Sequence, residues 1–515
     1  MDVFAHLANG IASVLSPTTL LFLLIGVLVG MFIGAIPGLG PSAGLAILLP
    51  LTFGLDATTA IVMLAAVYYG AMYGGTITSV LINTPGDSAS VPATLEGYPL
   101  ARKGRAIPAL IIAAVASFVA GTVATVILTV AAPPTARIAS SFGPPELFLL
   151  VVIGLLTLVV LVGKSWKGGL LSVVLGFAIG TVGIDVSGGE QRYTFGSTEL
   201  INGVDFIPVA IGLFGLGEIL WTIYRGGHRE TPAEMDLRAR RGAFWPSRQE
   251  WREAAKPIAR GTPLGFLLGV IPGAGATVAS LISYSTEKAL SKRPERFGKG
   301  AVEGLAGPEA ANNSAATGSM VPLLTLGIPG SASTAVLLGG FMMWGLQPGP
   351  LLMRDNPEFA WGLIASMYLG NVMLLAMNVF CIPLFAAVTR IRFATLAPLI
   401  ILLCAFGTFT VNGSIVEVGI MFGCGVLGFC MRLYGLSPAA TVIALVLGPI
   451  AEETLRQSLL LSGGTFAVFV ERTPSLALLG VMAVLVIVPI AIPAAKRALH
   501  RRAAEREQEG APPLT

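Results

Sequence analysis

Two short stretches of this chain crowd hydroxyls and amides around Pro-Gly pairs. The first runs Asn83-Thr84-Pro85-Gly86-Asp87-Ser88-Ala89-Ser90, with Ser79 just before it. The second holds Asn312, Asn313, Ser314, Thr317 and Ser319, then Gly327-Ile328-Pro329-Gly330-Ser331-Ala332-Ser333. Such side chains donate to a carboxylate, accept from water or coordinate a hard cation such as Na⁺. Neither stretch contains Lys or Arg, so an anion bound there would be met by dipoles rather than by formal charge. Asn83, Asn312 and Asn313 are the candidate Na⁺ ligands. Asp87 and Glu309 are candidates for holding a proton or cation, because an acid inside an apolar span is costly and usually functional; the alternative, which the sequence favours slightly, places either at the interface. Ser and Thr also bond the carbonyls of their own helix. That plainer reading covers any single hydroxyl, but not Asn312 beside Asn313.

A second kind of break accompanies each cluster. Gly34-Ala35-Ile36-Pro37-Gly38-Leu39-Gly40 recurs 235 residues later as Gly269-Val270-Ile271-Pro272-Gly273-Ala274-Gly275, and Pro85-Gly86 recurs 244 residues later as Pro329-Gly330. Gly97-Tyr98 and Gly340-Phe341 extend the match. Proline removes a backbone donor and glycine admits positive φ, so each pair interrupts a helix. Interrupted backbone inside a membrane survives only where it is buried or lines a cavity, and a helix that restarts there presents free amides that favour anions. The competing role for these residues is a kink or close helix packing. Four breaks in two ordered copies favour a substrate or ion site at Pro37, Gly38, Gly40, Pro272, Gly273 and Gly275, together with the two polar clusters.

The elements that must hold these residues are membrane spans. Of 515 residues, 54% are hydrophobic and 12% charged, and the mean hydropathy is +0.81. A soluble protein carries about 25% charged residues. From Ala106 to Pro133 there is no charge at all, enough for a helix that needs about 20 apolar residues to cross. Comparable runs cover 18–36, 58–82, 145–163, 168–184, 206–224, 359–389, 394–411, 415–431 and 475–495. The expected fold is an all-α integral membrane protein of roughly 10–12 transmembrane or re-entrant segments. Its expected divisions are an N-terminal membrane repeat (1–224), a basic linker (225–260), a C-terminal membrane repeat (261–495) and a tail (496–515).

Lys and Arg gather at 102–105, 225–260, 288–299 and 496–506, which the positive-inside rule places in the cytoplasm. The basic linker carries interleaved acids between spans and implies no nucleic acid. Span parity puts 185–205 outside and Lys164, Lys167, Arg390, Arg392 and Arg432 inside. The run 261–285 must fold back at Pro272–Gly275, or Lys288 and its neighbours would emerge on the wrong side. The loop after the first copy, at Arg102–Arg105, is basic and internal. The loop after the second, at Arg354–Glu358, is external by parity. Copies with equivalent loops on opposite faces are inverted, as in many secondary transporters.

Catalytic and nucleotide-binding signatures are not apparent. Cys381, Cys404, Cys424 and Cys430 lie in apolar runs without metal or redox spacing, the three histidines lie outside the expected spans, and no Walker loop or dinucleotide fingerprint occurs. The start, Met1-Asp2-Val3, lacks the basic region of a cleaved signal. A symporter, a channel and a membrane enzyme compete. The channel would need a continuous polar pore, and the enzyme a catalytic constellation inside the spans.

Over Gly34–Gly104, with Tyr69-Gly70-Ala71-Met72-Tyr73-Gly74-Gly75 between its two breaks, the chain resembles the large membrane subunit of the bacterial tripartite tricarboxylate transporter family. Gly307-Pro308-Glu309-Ala310-Ala311-Asn312-Asn313 and the breaks of the second copy resemble the same family; the likeness weakens over 225–260 and the tail. The resemblance implies a bacterial inner-membrane permease that takes small tri- or dicarboxylates from a periplasmic solute-binding protein and works with a small four-span membrane subunit. It implies symport with Na⁺ or protons, Na⁺ being a candidate coupling ion, and no organic cofactor. A channel, or a carrier of another small organic anion that works without a binding protein, is the alternative.

Overall fold

The computed structural model of the protein describes residues 3–161, 165–185, 188–226, 245–388, 393–485 and 487. Most of the basic linker, the tail, Lys164, Arg390 and Arg392 lie outside them. Among the described residues the only strands form a two-residue antiparallel pair, Gly183 opposite Arg192 and Ile184 opposite Gln191. Everything else regular among them is helical, and eight of these helices are long and apolar enough to cross a membrane. The protein is an all-α, multi-pass membrane protein.

The first half contains α1 (Val3–Val14), α2 (Pro17–Gly34), α3 (Pro41–Leu48), α4 (Ala57–Ile82), α5 (Val91–Arg102), α6 (Ala106–Ala139), α7 (Pro144–Leu161), α8 (Trp166–Gly180) and α9 (Phe206–Tyr224). The second contains α10 (Arg248–Val270), α11 (Gly275–Leu290), α12 (Val302–Gly318), α13 (Met320–Leu326), α14 (Ala332–Met343), α15 (Pro357–Phe380), α16 (Ile382–Val388), α17 (Phe393–Asn412), α18 (Ile415–Leu433), α19 (Pro438–Leu461) and α20 (Thr473–Leu485). The run 359–389, read as one segment from sequence, divides at Cys381 into α15 and α16.

The internal repeat is visible in how small residues pack. On α2, a Cβ added at Gly26, Gly30 or Gly34 would strike the carbonyl oxygens of Met63, Val67 and Ala71 on α4. On α10, Gly261, Gly265 and Gly269 stand in the same relation to Gly307, Ala311 and Ala315 on α12. The glycines are 235 residues apart and their partners 244, the two offsets of the Pro-Gly motifs. With lipid as solvent, apolar burial does little to hold two helices together, and contact of this closeness takes over that task. The step between the offsets falls in the loop separating α11 from α12, where the second copy carries its extra basic stretch. Beyond these bundles, α9 packs on α17 and α18, while α19 packs on α7 and α8. Each copy thus lends its last long helix to the other.

The copies run in opposite directions. At one end, Arg105 before α6 pairs with Glu250 of α10 at 2.5 Å, and the Lys103 ammonium donates to the carbonyl of Lys299 at 2.6 Å. Burial raises the Glu250 pKa, but hydrogen bonds from Arg105 and Ser247 outweigh it and hold the carboxyl below the usual carboxylate range. This basic end is where α6 and α10 start. The starts of α4 and α15 meet at the other end, where Thr58 touches Gly362 and His6 of α1 stacks on Trp361. Antiparallel contacts between α6 and α15, Thr129 with Tyr368 and Thr122 with Asn371, place that end opposite the basic one. So α2 and α4 enter from one side and α10 and α12 from the other. The turn back at Pro272–Gly275 is also present: α11 returns alongside α10, and Arg260 of α10 bonds Glu287 of α11 at 2.9 Å.

Candidate functional site

Within each copy the two breaks touch. Gly38 and Gly273 turn the chain at φ +84° and +83°, which a side chain would oppose. In the first copy α4 ends in left-handed Asn83, and the chain doubles back until Gly86 lies against the carbonyl of Gly34, with no room for a Cβ. In the second, α13 ends in left-handed Gly327, and Gly330 lies between Ser319 and the carbonyl of Gly269. Gly273 N–H donates to Gly330 O at 3.0 Å. Gly40 faces Asp87, and Gly275 faces Ser331. Asp87 and Ser331, again 244 residues apart, each cap the helical turn that follows by accepting from the amides of Ser90 (2.9 Å) and Thr334 (3.2 Å).

The copies then meet at these points. Ser88 Oγ and Thr277 Oγ1 are 2.7 Å apart, and Ser280 Oγ donates to Ala89 O at 2.6 Å. Tyr68, fully buried on α4, lies beside the side chains of Ser331 and Ser319. With α14 packed on α3, helices that begin at all four breaks converge. The N-terminal amides that no cap occupies, as at α3 and α11, give the region a positive dipole potential without a formal cation.

The sequence-derived residues divide by burial. Asn83 is exposed at its cap, Ser88 is exposed, and Thr84, Pro85 and Ser331 are partly buried. Asn312, Asn313, Ser314, Thr317 and Ser333 are buried, as are Pro329 and Gly330. Ser90 Oγ donates to Asp87 at 2.6 Å, and Ser314 Oγ to the carbonyl of Thr262 on α10 at 2.6 Å. Asn313 donates to Ser117 Oγ on α6 at 2.7 Å. Asn312 is completely buried, yet among the described residues neither its amide nitrogen nor its oxygen has a partner. A buried amide left unpaired costs about 1–3 kcal/mol. Thr317 and Asn313 line a narrow crevice with Tyr69, Tyr73, Thr125 and Asn371.

Several polar groups here were not singled out from sequence. Tyr73 donates to Asn371 at 2.8 Å, and Thr76 donates to Glu309 at 2.9 Å. Ser117, Thr125 and Thr129 recur at intervals of four or eight along α6, a spacing that keeps them on one face. That stripe, and two asparagines within the apolar run of α15, were the available signal.

The model of the tripartite tricarboxylate transporter TctA family matches residues 20–443, which includes both pairs of breaks and all four helices that restart at them. The chain belongs to this family. Two relatives from Agrobacterium vitis resemble this TctA-family protein. An uncharacterised 52.8 kDa protein in the TAR-I ttuC' 3' region is 42% identical over 481 residues, covering 93% of this chain and 95% of the relative. An uncharacterised protein in the TAR-II ttuC' 3' region is 42% identical over 226 residues, covering 44% of this chain and 93% of the relative. No solved structure matches. As a TctA-family member, the protein is a large subunit of a tripartite tricarboxylate transporter.

Proposed function

We propose that this permease imports small tri- or dicarboxylates by symport, accepting the substrate from a periplasmic binding protein and working beside a small four-span subunit. The observation that carries the reading is the convergence of four interrupted helices from two inverted copies, with the unpaired Asn312 amide buried on α12. Inverted-repeat carriers hold substrate and coupling ion at such junctions. Helix N-termini, hydroxyls and the amides of Asn312 and Asn313 would receive a carboxylate. A site without Arg favours release, since bidentate guanidinium pairs hold carboxylates tightly.

The same amides, rather than exposed Asn83, would complete a Na⁺ shell if Na⁺ is the coupling ion. The basic end, the linker and the tail would face the cytoplasm of a bacterial inner membrane. The division into repeats at 1–224 and 261–495 is part of this proposal, and the paired offsets support it. Uptake of labelled citrate, succinate and benzoate is to be measured in cells that express this chain alone and with its two partners. Uptake of citrate or succinate only in the complete system supports the reading, and uptake of benzoate alone would move the substrate to aromatic monocarboxylates. Full-rate uptake by the lone chain would make it a carrier that needs no binding protein.

A further inference from the structure

Four glutamates are buried among the described residues: Glu96, Glu146, Glu287 and Glu309. Glu146 bonds Arg472 at 2.8 Å and Glu287 bonds Arg260 at 2.9 Å. Glu96 accepts from the amides of Gly298, Gly300 and Ala301 and from Tyr284. Glu309, 2% exposed, has neither a cation nor a row of amides among the described residues. Its Oε2 accepts from Thr76 of α4 at 2.9 Å and Ser117 of α6 at 3.4 Å. Asn313, one turn on, holds that Ser117 by a 2.7 Å bond.

We propose that Glu309 is the group that takes up and releases the coupling proton, which makes this protein a proton symporter. The inference rests on the transport reading above. Hydroxyls suit the task because they donate to a carboxylate and accept from a carboxylic acid, so one pocket serves both states. The donors come from α4 of one copy and from α6, so relative movement of the copies changes the shell and with it the hold on the proton. Among the described residues no Lys or Arg bonds the group. The guanidinium on neighbouring α10, Arg260, is occupied by Glu287 of α11, and Glu96 of α5 is closed off by its own donors. Of the groups that face Glu309, Tyr73 on α4 and Asp87 at the break are the ionisable ones, and Asp87 adds only negative charge. A permanently ionised Glu309 would therefore stand uncompensated inside apolar spans, which is strongly disfavoured.

A lane of polar groups reaches this point from the end opposite the basic one. Thr129 and Tyr368 hydroxyls are 2.8 Å apart, Tyr73 bonds Asn371, and Tyr69 has a buried hydroxyl without a partner among the described residues. Groups so placed are suited to carrying a proton with intervening water.

The test begins with the full-length protein in lipid nanodiscs, in sodium-free buffer, followed by infrared spectroscopy across a pH titration. A carbonyl stretch of a neutral carboxylic acid is expected at neutral pH in the wild type and is expected to vanish in Glu309→Gln. In proteoliposomes carrying the complete system, with whichever of citrate, succinate or benzoate the wild type takes up fastest, Glu309→Gln should lose accumulation driven by a pH gradient. It should keep exchange of labelled for unlabelled substrate, which a merely misfolded variant would also lose. Glu309→Asp should restore part of the accumulation. A missing band, a band abolished by adding Na⁺ at fixed pH, or normal pH-driven accumulation in Glu309→Gln would overturn the proposal. If the wild type takes up none of the three acids, the transport reading fails, and the infrared band alone decides whether Glu309 holds a proton.

Discussion

Ser88 Oγ of the first copy lies 2.7 Å from Thr277 Oγ1 of the second, joining the re-entrant turn before α5 to the first turn of α11. The contact ties two elements that enter the protein from opposite sides. If carriage of substrate requires the copies to move past one another, this contact must break in each cycle. A Ser88→Cys/Thr277→Cys pair, in a background without the four native cysteines, should cross-link on mild oxidation. Uptake should stop and return on reduction. Undiminished uptake by the cross-linked protein would mean that this contact stays closed throughout transport.

The glycine stripes should be intolerant at matching positions. Gly30→Val and Gly265→Val each drive a side chain into a facing backbone carbonyl, and overpacking of this kind costs about 1–3 kcal/mol. Both variants should show a lower melting temperature in detergent. Gly419→Ala, where a Cβ meets nothing within 4 Å, should melt like the wild type. A wild-type melting temperature for either valine variant would show that α2 and α10 are not held by these contacts.

Asn312 should matter for transport more than for folding. Its amide bonds nothing among the described residues, so Asn312→Ala removes an unpaired polar group along with some packing. Thermal stability should change little, while a hydrogen bond lost to a charged substrate, worth about 1.5–3 kcal/mol, should weaken apparent affinity roughly 10- to 100-fold. Ser285→Ala, at an exposed hydroxyl that bonds its own helix, should leave uptake unchanged. Ser172 would be a poor control, because its hydroxyl accepts from the Ser437 amide and so joins α8 to α19. A large loss of stability in Asn312→Ala with unchanged affinity would assign Asn312 to packing.

The basic end should loosen in acid. The Glu250 carboxyl sits below its ordinary value, so its contribution is present at neutral pH and declines as pH falls through that lowered value. Glu250→Gln should be less stable than the wild type at neutral pH, and the gap should close on acidification. A gap independent of pH would mean that the Arg105 contact is not electrostatic.

The sequence-level features that proved legible are local. Pro37-Gly38, Pro85-Gly86, Pro272-Gly273 and Pro329-Gly330 declare themselves because a helix cannot pass through them unbroken. The fold-back at Pro272 followed from the charges beyond it. The glycine stripes are not legible in the sequence because glycine is common throughout these spans, and only the facing carbonyls of α4 and α12 give Gly30 and Gly265 their meaning. The match of Gly97 with Gly340 is one residue out of step: the 244-residue offset kept by Asp87 with Ser331 sets Glu96 opposite Gly340. Tyr73 with Asn371 and Thr76 with Glu309 join residues more than 200 positions apart, and nothing in their immediate neighbourhood encodes a partner at that distance.

A gradient-driven carrier built from two inverted copies should accumulate carboxylate against its own concentration gradient. The most direct measurement is uptake of a labelled carboxylate panel into proteoliposomes that hold this chain with its small membrane subunit, with the binding protein added outside. A proton or a Na⁺ gradient is imposed in turn. Saturable accumulation above the external concentration, abolished when the gradient is collapsed, is the expected result. Non-saturable entry that stops at equal concentrations on both sides, with either gradient or none, would contradict the account and make the convergence of breaks part of a channel.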